Sequence, residues 1–183
     1  DRKIGEGGNG SVYRAHHAML RRPIAVKLVH PEKAGAETLD RFEREVQHMS
    51  QLTHWNTVAV YDYGRSPEGI FYYAMEYLQG LDAETLVDRY GQQPAGRVVS
   101  LLRQACESLE EAHDAGLVHR DIKGSNIIIC RLGKRTDFVK VVDFGLVKEL
   151  ARTTLTALTA DRSTAGTPAF MSPEQVRGEQ IDA

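Results

Sequence analysis

Short apolar runs of strand length are interspersed with two longer stretches of helical period along this chain. Residues 11–15 and 24–29 read as strands, with a turn at Arg21-Arg22-Pro23 between them. Leu39, Phe42, Val46 and Met49 recur at three- and four-residue steps, which predicts an amphipathic helix over 37–52. Two further strand-like runs, 58–63 and 69–75, flank Gly64-Arg65-Ser66-Pro67-Glu68, a turn by composition. Together with the strand pattern in which the chain opens, these segments predict a five-stranded antiparallel unit carrying one helix. The longest helical pattern covers 93–115. Val98, Leu101, Leu102, Ala105, Leu109 and Ala112 form its apolar stripe, and Gly116 supplies a stop. Farther on, Ile127-Ile128-Ile129 reads as a buried strand and 136–142 as its hairpin partner, turning around Leu132-Gly133-Lys134.

Composition narrows the functional classes. The 183 residues suffice for a hydrophobic core, and 23 basic against 25 acidic side chains leave a formal charge of −2. There is no global basic field for nucleic acid or a membrane surface. No apolar run approaches a membrane span, and Asp1-Arg2-Lys3 is not a signal peptide. Cys106 and Cys130 fit neither a metal spacing nor a disulfide framework, and read as small buried hydrophobes in a reducing cytosol. The chain opens within a strand pattern and without Met, so it reads as an excised piece.

Candidate chemistry gathers in Val118-His119-Arg120-Asp121-Ile122-Lys123-Gly124-Ser125-Asn126, followed seventeen residues after Asn126 by Asp143-Phe144-Gly145. Asp121, Lys123 and Asn126 place an acid, an ammonium and an amide in one tight loop. The predicted hairpin then returns Asp143 beside Asn126. Carboxylate and amide oxygens suit a hard divalent cation such as Mg²⁺, which keeps room for phosphate oxygens. These residues resemble the protein kinase signatures H-R-D-L-x-x-x-N and D-F-G, with Ile122 in place of the leucine.

Gly5, Gly7, Gly10 and Val12 supply the kinase pattern G-x-G-x-x-G-x-V, in which missing Cβ atoms let backbone N–H groups approach phosphates. Alone the glycines are a weak signal, since a dinucleotide-binding loop has the same spacing. That loop, however, needs a helix to start within the motif, and here a strand pattern follows. Ile24-Ala25-Val26-Lys27 is close to V-A-I-K. A strand lysine is ordinarily a solvated side chain, so its kinase reading needs a carboxylate partner. Glu45 is selected because Arg41-Phe42-Glu43-Arg44-Glu45 resembles the family's helix C and Glu45 borders the apolar stripe; Glu37 and Glu43 read as a solvated face.

The resemblance implies an α+β, protein-kinase-like fold. Residues 1–79 would form the small five-stranded lobe and hinge, and 80–183 the first part of a mainly helical lobe. By the same resemblance Met75 is the gatekeeper, while the Glu76 carbonyl and the Leu78 backbone meet adenine. Ile4, Val12, Ala25 and Ile128 line its slot, and Asp82 reaches the ribose. Lys27, fixed by Glu45, holds the α- and β-phosphates. Asp121 orients or accepts the hydroxyl proton, Lys123 stabilises the γ-phosphate, and Asn126 and Asp143 hold Mg²⁺. His119 is implied to be a packed core residue, stacked with Met49, Val60 and Phe144. Residues 143–174 end at Ser172-Pro173-Glu174, where the family has A-P-E, and so match the activation segment. Thr159 and Thr164 are its favoured phosphorylation sites, with Arg120 and Lys148 as phosphate partners. Thr167 is expected to hydrogen-bond near Asp121 and Lys123.

Lys123, two residues past Asp121, resembles the Ser/Thr-specific branch, and the overall wording looks most like bacterial Ser/Thr kinases. ATP with Mg²⁺, or Mn²⁺ in its place, is the implied cofactor set. The implied partners are proteins with Ser/Thr acceptors, and a homodimer for autophosphorylation. A cytoplasmic location follows, including as the cytosolic part of a membrane-anchored kinase. Three rival readings meet the same residues. A pseudokinase would have lost Lys27, Asp121, Asn126 or Asp143; an oxidoreductase fails on the strand after Gly10; a small-molecule kinase would lack the Ser/Thr-rich segment. Gly124 departs from the family's usual proline and is expected to loosen the loop. Asn9 and Trp55 depart too. The family's domain continues past Glu174, so the piece alone is expected to be unstable or inactive.

Overall fold

The structure, a computed structural model, describes residues 2–7, 10–29, 36–144, 168–179 and 181–182, apart from the side chains of 7, 36–42, 45 and 168. The described residues fall into two compact units.

In the first unit, β1 (Arg2–Gly7), β2 (Gly10–His16), β3 (Pro23–Val29), β4 (Val60–Arg65) and β5 (Phe71–Glu76) make one antiparallel sheet. Its order is β1-β2-β3-β5-β4, so β3 is bonded on both edges. This is why Ile24, Ala25 and Val29 are buried, and why Lys27, at the same depth, is only 6% exposed. The expected strand at 58 begins two residues later because Val58 belongs to the other unit, where its N–H donates to the Val141 carbonyl at 3.0 Å. The single helix α1 (Ala36–Gln51) buries Val46 and Met49. It lies against β4, where the Gln47 amide donates to the Tyr63 hydroxyl at 2.9 Å.

The second unit contains Leu52–Val58, a three-stranded antiparallel sheet of β6 (Gly80–Asp82), β7 (Ile127–Leu132) and β8 (Arg135–Val141), and the helices α2 (Ala83–Tyr90), α3 (Ala95–Asp114) and α4 (Pro173–Arg177). The sequence patterns did not predict β6 and α2. Asp82 starts α2 as its N-cap, and Gly91 ends it at φ 73°. A Cβ on Gly80 would run into the Ile129 carbonyl, so β6 can lie this close to β7 only with glycine there.

The α3 helix packs on β8 through a narrower stripe than expected. Leu101, Ala105, Ser108 and Ala112 are buried, whereas Val98 (37%) and Leu102 (51%) are exposed among the described residues. Small side chains at the contact let the helix approach closely, and the Ser108 hydroxyl is satisfied by Thr57 at 2.7 Å. The β8 edge is covered by amides: Gln104 accepts from Val139 N–H at 3.1 Å and donates to the Asp137 carbonyl at 2.9 Å. The Asn56 side chain donates to the Val139 carbonyl at 2.7 Å. These bonds satisfy a strand edge that would otherwise bury unpaired backbone. Among the described residues no helix is long and apolar enough to cross a membrane.

Candidate active site

The first unit carries most of the residues expected around a nucleotide. Gly7 and Gly10 face each other across the β1–β2 hairpin, so a strand and not a helix follows the glycines. Gly10 has φ 139°, and a Cβ there would strike the Leu28 carbonyl on β3. Lys27 lies in register between Val12 of β2 and Tyr73 of β5. The side chain of its expected partner Glu45 lies outside the described residues, as do Lys148, Thr159, Thr164 and Thr167. Ala25 and Met75 are register partners on β3 and β5 and are both buried, whereas Ile4 is 43% exposed. The Glu76 carboxylate accepts from Ala59 N–H at 2.8 Å, and Leu78 is half-buried.

The second unit draws the catalytic-loop residues together. After Lys123 the chain makes a 3₁₀ turn, Gly124–Asn126, which brings the Asn126 side chain back over Asp121. The Asn126 amide donates to the Asp121 carbonyl at 2.8 Å and, more weakly, to its carboxylate at 3.3 Å. Lys123 Nζ stands 3.2 Å from the same carboxylate oxygen. Because Nδ2 is committed to Asp121, Oδ1 is the atom Asn126 can offer a cation. Among the described residues no three His, Cys, Asp or Glu side chains cluster. An amide oxygen and the Asp143 carboxylate are nonetheless the hard donors that suit a cation retaining waters and phosphate oxygens.

Two bonds to the Val142 backbone fix where Asp143 emerges. Val142 donates to the Asn126 carbonyl at 3.0 Å and accepts from His119 Nε2 at 3.0 Å. His119 Nδ1 in turn accepts the Asp121 N–H at 3.2 Å. The second bond requires a bare Nδ1, so the proton sits on Nε2. Burial, above all, holds this imidazole below its ordinary value of 6.5, against bonds and nearby Asp121 and Asp143 that pull it up. His119 is therefore a neutral support, stacked on Phe144 at 4.6 Å. Arg120 (φ 61°) and Asp143 (φ 57°) both occupy the left-handed region, which side chains other than glycine rarely adopt. Such outliers cluster at functional sites.

Other expected site residues are placed with less convergence. Both Asp82 carboxylate oxygens accept from Thr85, at 2.8 and 2.7 Å, so its first role is to cap α2. Ile128 is half-buried on the face of β7 opposite buried Ile127 and Ile129. Gly124 packs against α2, and a Cβ there would lie 3.0 Å from Glu84 N. The glycine thus permits a close contact rather than simply loosening the loop. Sequence reasoning missed Gln175, whose amide nitrogen donates to the Arg120 carbonyl at 2.8 Å. The pattern Ser172-Pro173-Glu174-Gln175 carried a signal for it, since S-x-x-Q is a capping box.

Comparison with known proteins agrees with this geometry. The model of the family described as "Protein kinase domain" matches residues 1–183. The chain is 40% identical over 181 residues to the serine/threonine-protein kinase pkn3 of Myxococcus xanthus, covering 98% of this chain and 33% of that protein. It is 35% identical to the serine/threonine-protein kinase PknB of Mycobacterium leprae, covering 98% of this chain and 29% of that one. Among solved structures, the Mycobacterium tuberculosis PknI kinase domain superposes with a TM-score of 0.73 at 28% identity, covering 99% of this chain and 65% of that one. The chain thus spans about a third of the length of the curated relatives it matches. Loop geometry, sheet order and a match along the whole chain agree, and this chain belongs to the protein kinase domain family.

Proposed function

We propose that the protein of which this chain is part transfers the γ-phosphoryl group of ATP to Ser/Thr hydroxyls of proteins, its own activation segment among them. The observation that carries this reading is the Asp121–Lys123–Asn126 cluster, in which one mostly buried carboxylate holds an ammonium and an amide. In the transfer, the P–O bond to ADP breaks as one to the acceptor oxygen forms, and the acceptor proton leaves. Asp121 orients that hydroxyl and takes its proton; Lys123 offsets charge on the phosphoryl oxygens. Asn126 and Asp143 would hold Mg²⁺, or Mn²⁺, which neutralises phosphate charge when bound. Lys27, paired with Glu45, would hold the α- and β-phosphates. Gly5, Gly7 and Gly10 would cover them, and Ile4, Val12, Ala25, Met75, Glu76, Leu78, Asp82 and Ile128 would receive the nucleoside.

Regulation follows the same family logic: phosphate on Thr159 or Thr164 would pair with Arg120 and Lys148, and Thr167 would help place the acceptor. The setting would be intracellular signalling by a cytosolic domain, free or membrane-anchored, with dimerisation serving autophosphorylation. The test is transfer of labelled γ-phosphate from Mg·ATP by the full-length protein. Label on Ser/Thr, lost in Asp121→Asn and Asp143→Asn, is the expected result. No label despite ATP binding would overturn the reading in favour of a scaffold.

A further inference from the structure

Gln175 holds two backbone groups at once. Its amide oxygen accepts from Ser172 N–H at 2.9 Å, and its amide nitrogen donates to the Arg120 carbonyl at 2.8 Å. The orientation is forced, because an N–H needs an acceptor and a carbonyl needs a donor. Gln175 N–H bonds the Ser172 hydroxyl at 3.3 Å, closing the capping box of α4. Glutamate closes such a box equally well, but a carboxylate cannot donate to Arg120. The choice of glutamine therefore serves something besides the cap.

What it serves is the peptide plane joining Arg120 to Asp121. That plane follows a residue at φ 61° and would relax if unsupported. Its nitrogen donates to His119 Nδ1 at 3.2 Å, and its oxygen accepts from Gln175 at 2.8 Å. We infer that Gln175 is a positioning residue: it fixes, through the Arg120 carbonyl, the orientation from which the Asp121 side chain departs. The segment containing α4 is thereby coupled to the catalytic loop. The consequence for catalysis rests on the phosphoryl-transfer reading above.

The variants Gln175→Glu and Gln175→Leu, made in the full-length protein, separate the two roles, because the first keeps the cap and loses the donor. In both, kcat is expected to fall about fivefold, the worth of one net hydrogen bond, with KM for ATP unchanged and the melting temperature of Gln175→Glu lowered by only about a few degrees. Amide hydrogen exchange at Asp121, which requires no activity, is expected to quicken severalfold. Parental kcat in Gln175→Glu would overturn the proposal. So would losses of kcat, ATP affinity and melting temperature in step, which would mark a folding role alone. An inactive parent would refute the phosphoryl-transfer reading instead, and the exchange rate would then decide the Gln175 clamp by itself.

Discussion

The Asn126 side chain is bonded to Asp121 twice, to the carbonyl at 2.8 Å and to the carboxylate at 3.3 Å. One amide therefore orients the loop's acid while presenting its own oxygen elsewhere. Asn126→Asp would set a second carboxylate against the first and leave the Asp121 carbonyl without its donor. This variant should lose about 1–3 kcal/mol of stability, read by urea unfolding at neutral pH. Unchanged stability would show that the amide donor does not hold the loop.

His119 gives the molecule an acid-side limit. Burial holds its imidazole below 6.5, so the unfolded chain binds a proton in a pH range where the folded one does not. The sign follows: this contribution is fully present above about pH 6.5 and declines as pH falls below it. His119→Gln should be less stable at pH 7.5, yet show a flatter decline between pH 7 and 5.5 than its parent. Parallel stability curves would contradict the assignment.

Glu111, on α3, holds the segment that leads out of α1. Burial pushes its carboxyl up, but bonds from Thr53 N–H, His54 N–H and the Thr53 hydroxyl, with nearby His54, together hold it below 4.5. Its stabilisation is thus present above about pH 4.5 and lost as pH falls through the lowered value. Glu111→Gln should cost about 1 kcal/mol at pH 7, modest because part of the group is solvated, and less at pH 3.5. Equal stability at pH 7 would mean water replaces these bonds without loss.

The glycines of the first hairpin should not be equivalent. A Cβ on Gly5 would meet only the Val12 side chain, at 3.7 Å, an ordinary contact. On Gly10 it would strike the Leu28 carbonyl at a φ of 139°. Gly5→Ala should leave the melting temperature within a degree or two, whereas Gly10→Ala should cost about 2 kcal/mol or more. Similar melting temperatures for the two variants would contradict the close strand approach.

Elements with strong periodicity were legible from the sequence. Four strands of the first unit, β2 to β5, and α1 stand within about two residues of their expected positions, as does the 127–142 hairpin, and the chain opens in a strand as its pattern suggested. The brief β6 and α2 were not, because a three-residue strand has no period and α2 is announced mainly by its Asp82 cap. The α3 stripe was read too broadly: Val98 and Leu102 fit the helical period, yet the packing face runs through Leu101, Ala105 and Ser108. At the site, spacing placed Asp121, Lys123 and Asn126 in one tight loop, whereas the roles proposed for them rest on the kinase resemblance. The supports were less legible because each ends on a backbone group, Val142 N–H on the Asn126 carbonyl, His119 Nε2 on the Val142 carbonyl and Gln175 Nε2 on the Arg120 carbonyl, and only the last is announced, by its S-x-x-Q capping pattern.

The most direct test of the account is to measure Mg·ATP affinity and turnover in the same preparation of full-length Asp121→Asn and its parent. If Asp121 handles the acceptor proton, ATP affinity should stay within about twofold while turnover falls by at least about 10²-fold. Turnover equal to the parent's, or loss of ATP binding in step with turnover, would contradict the role assigned to the loop.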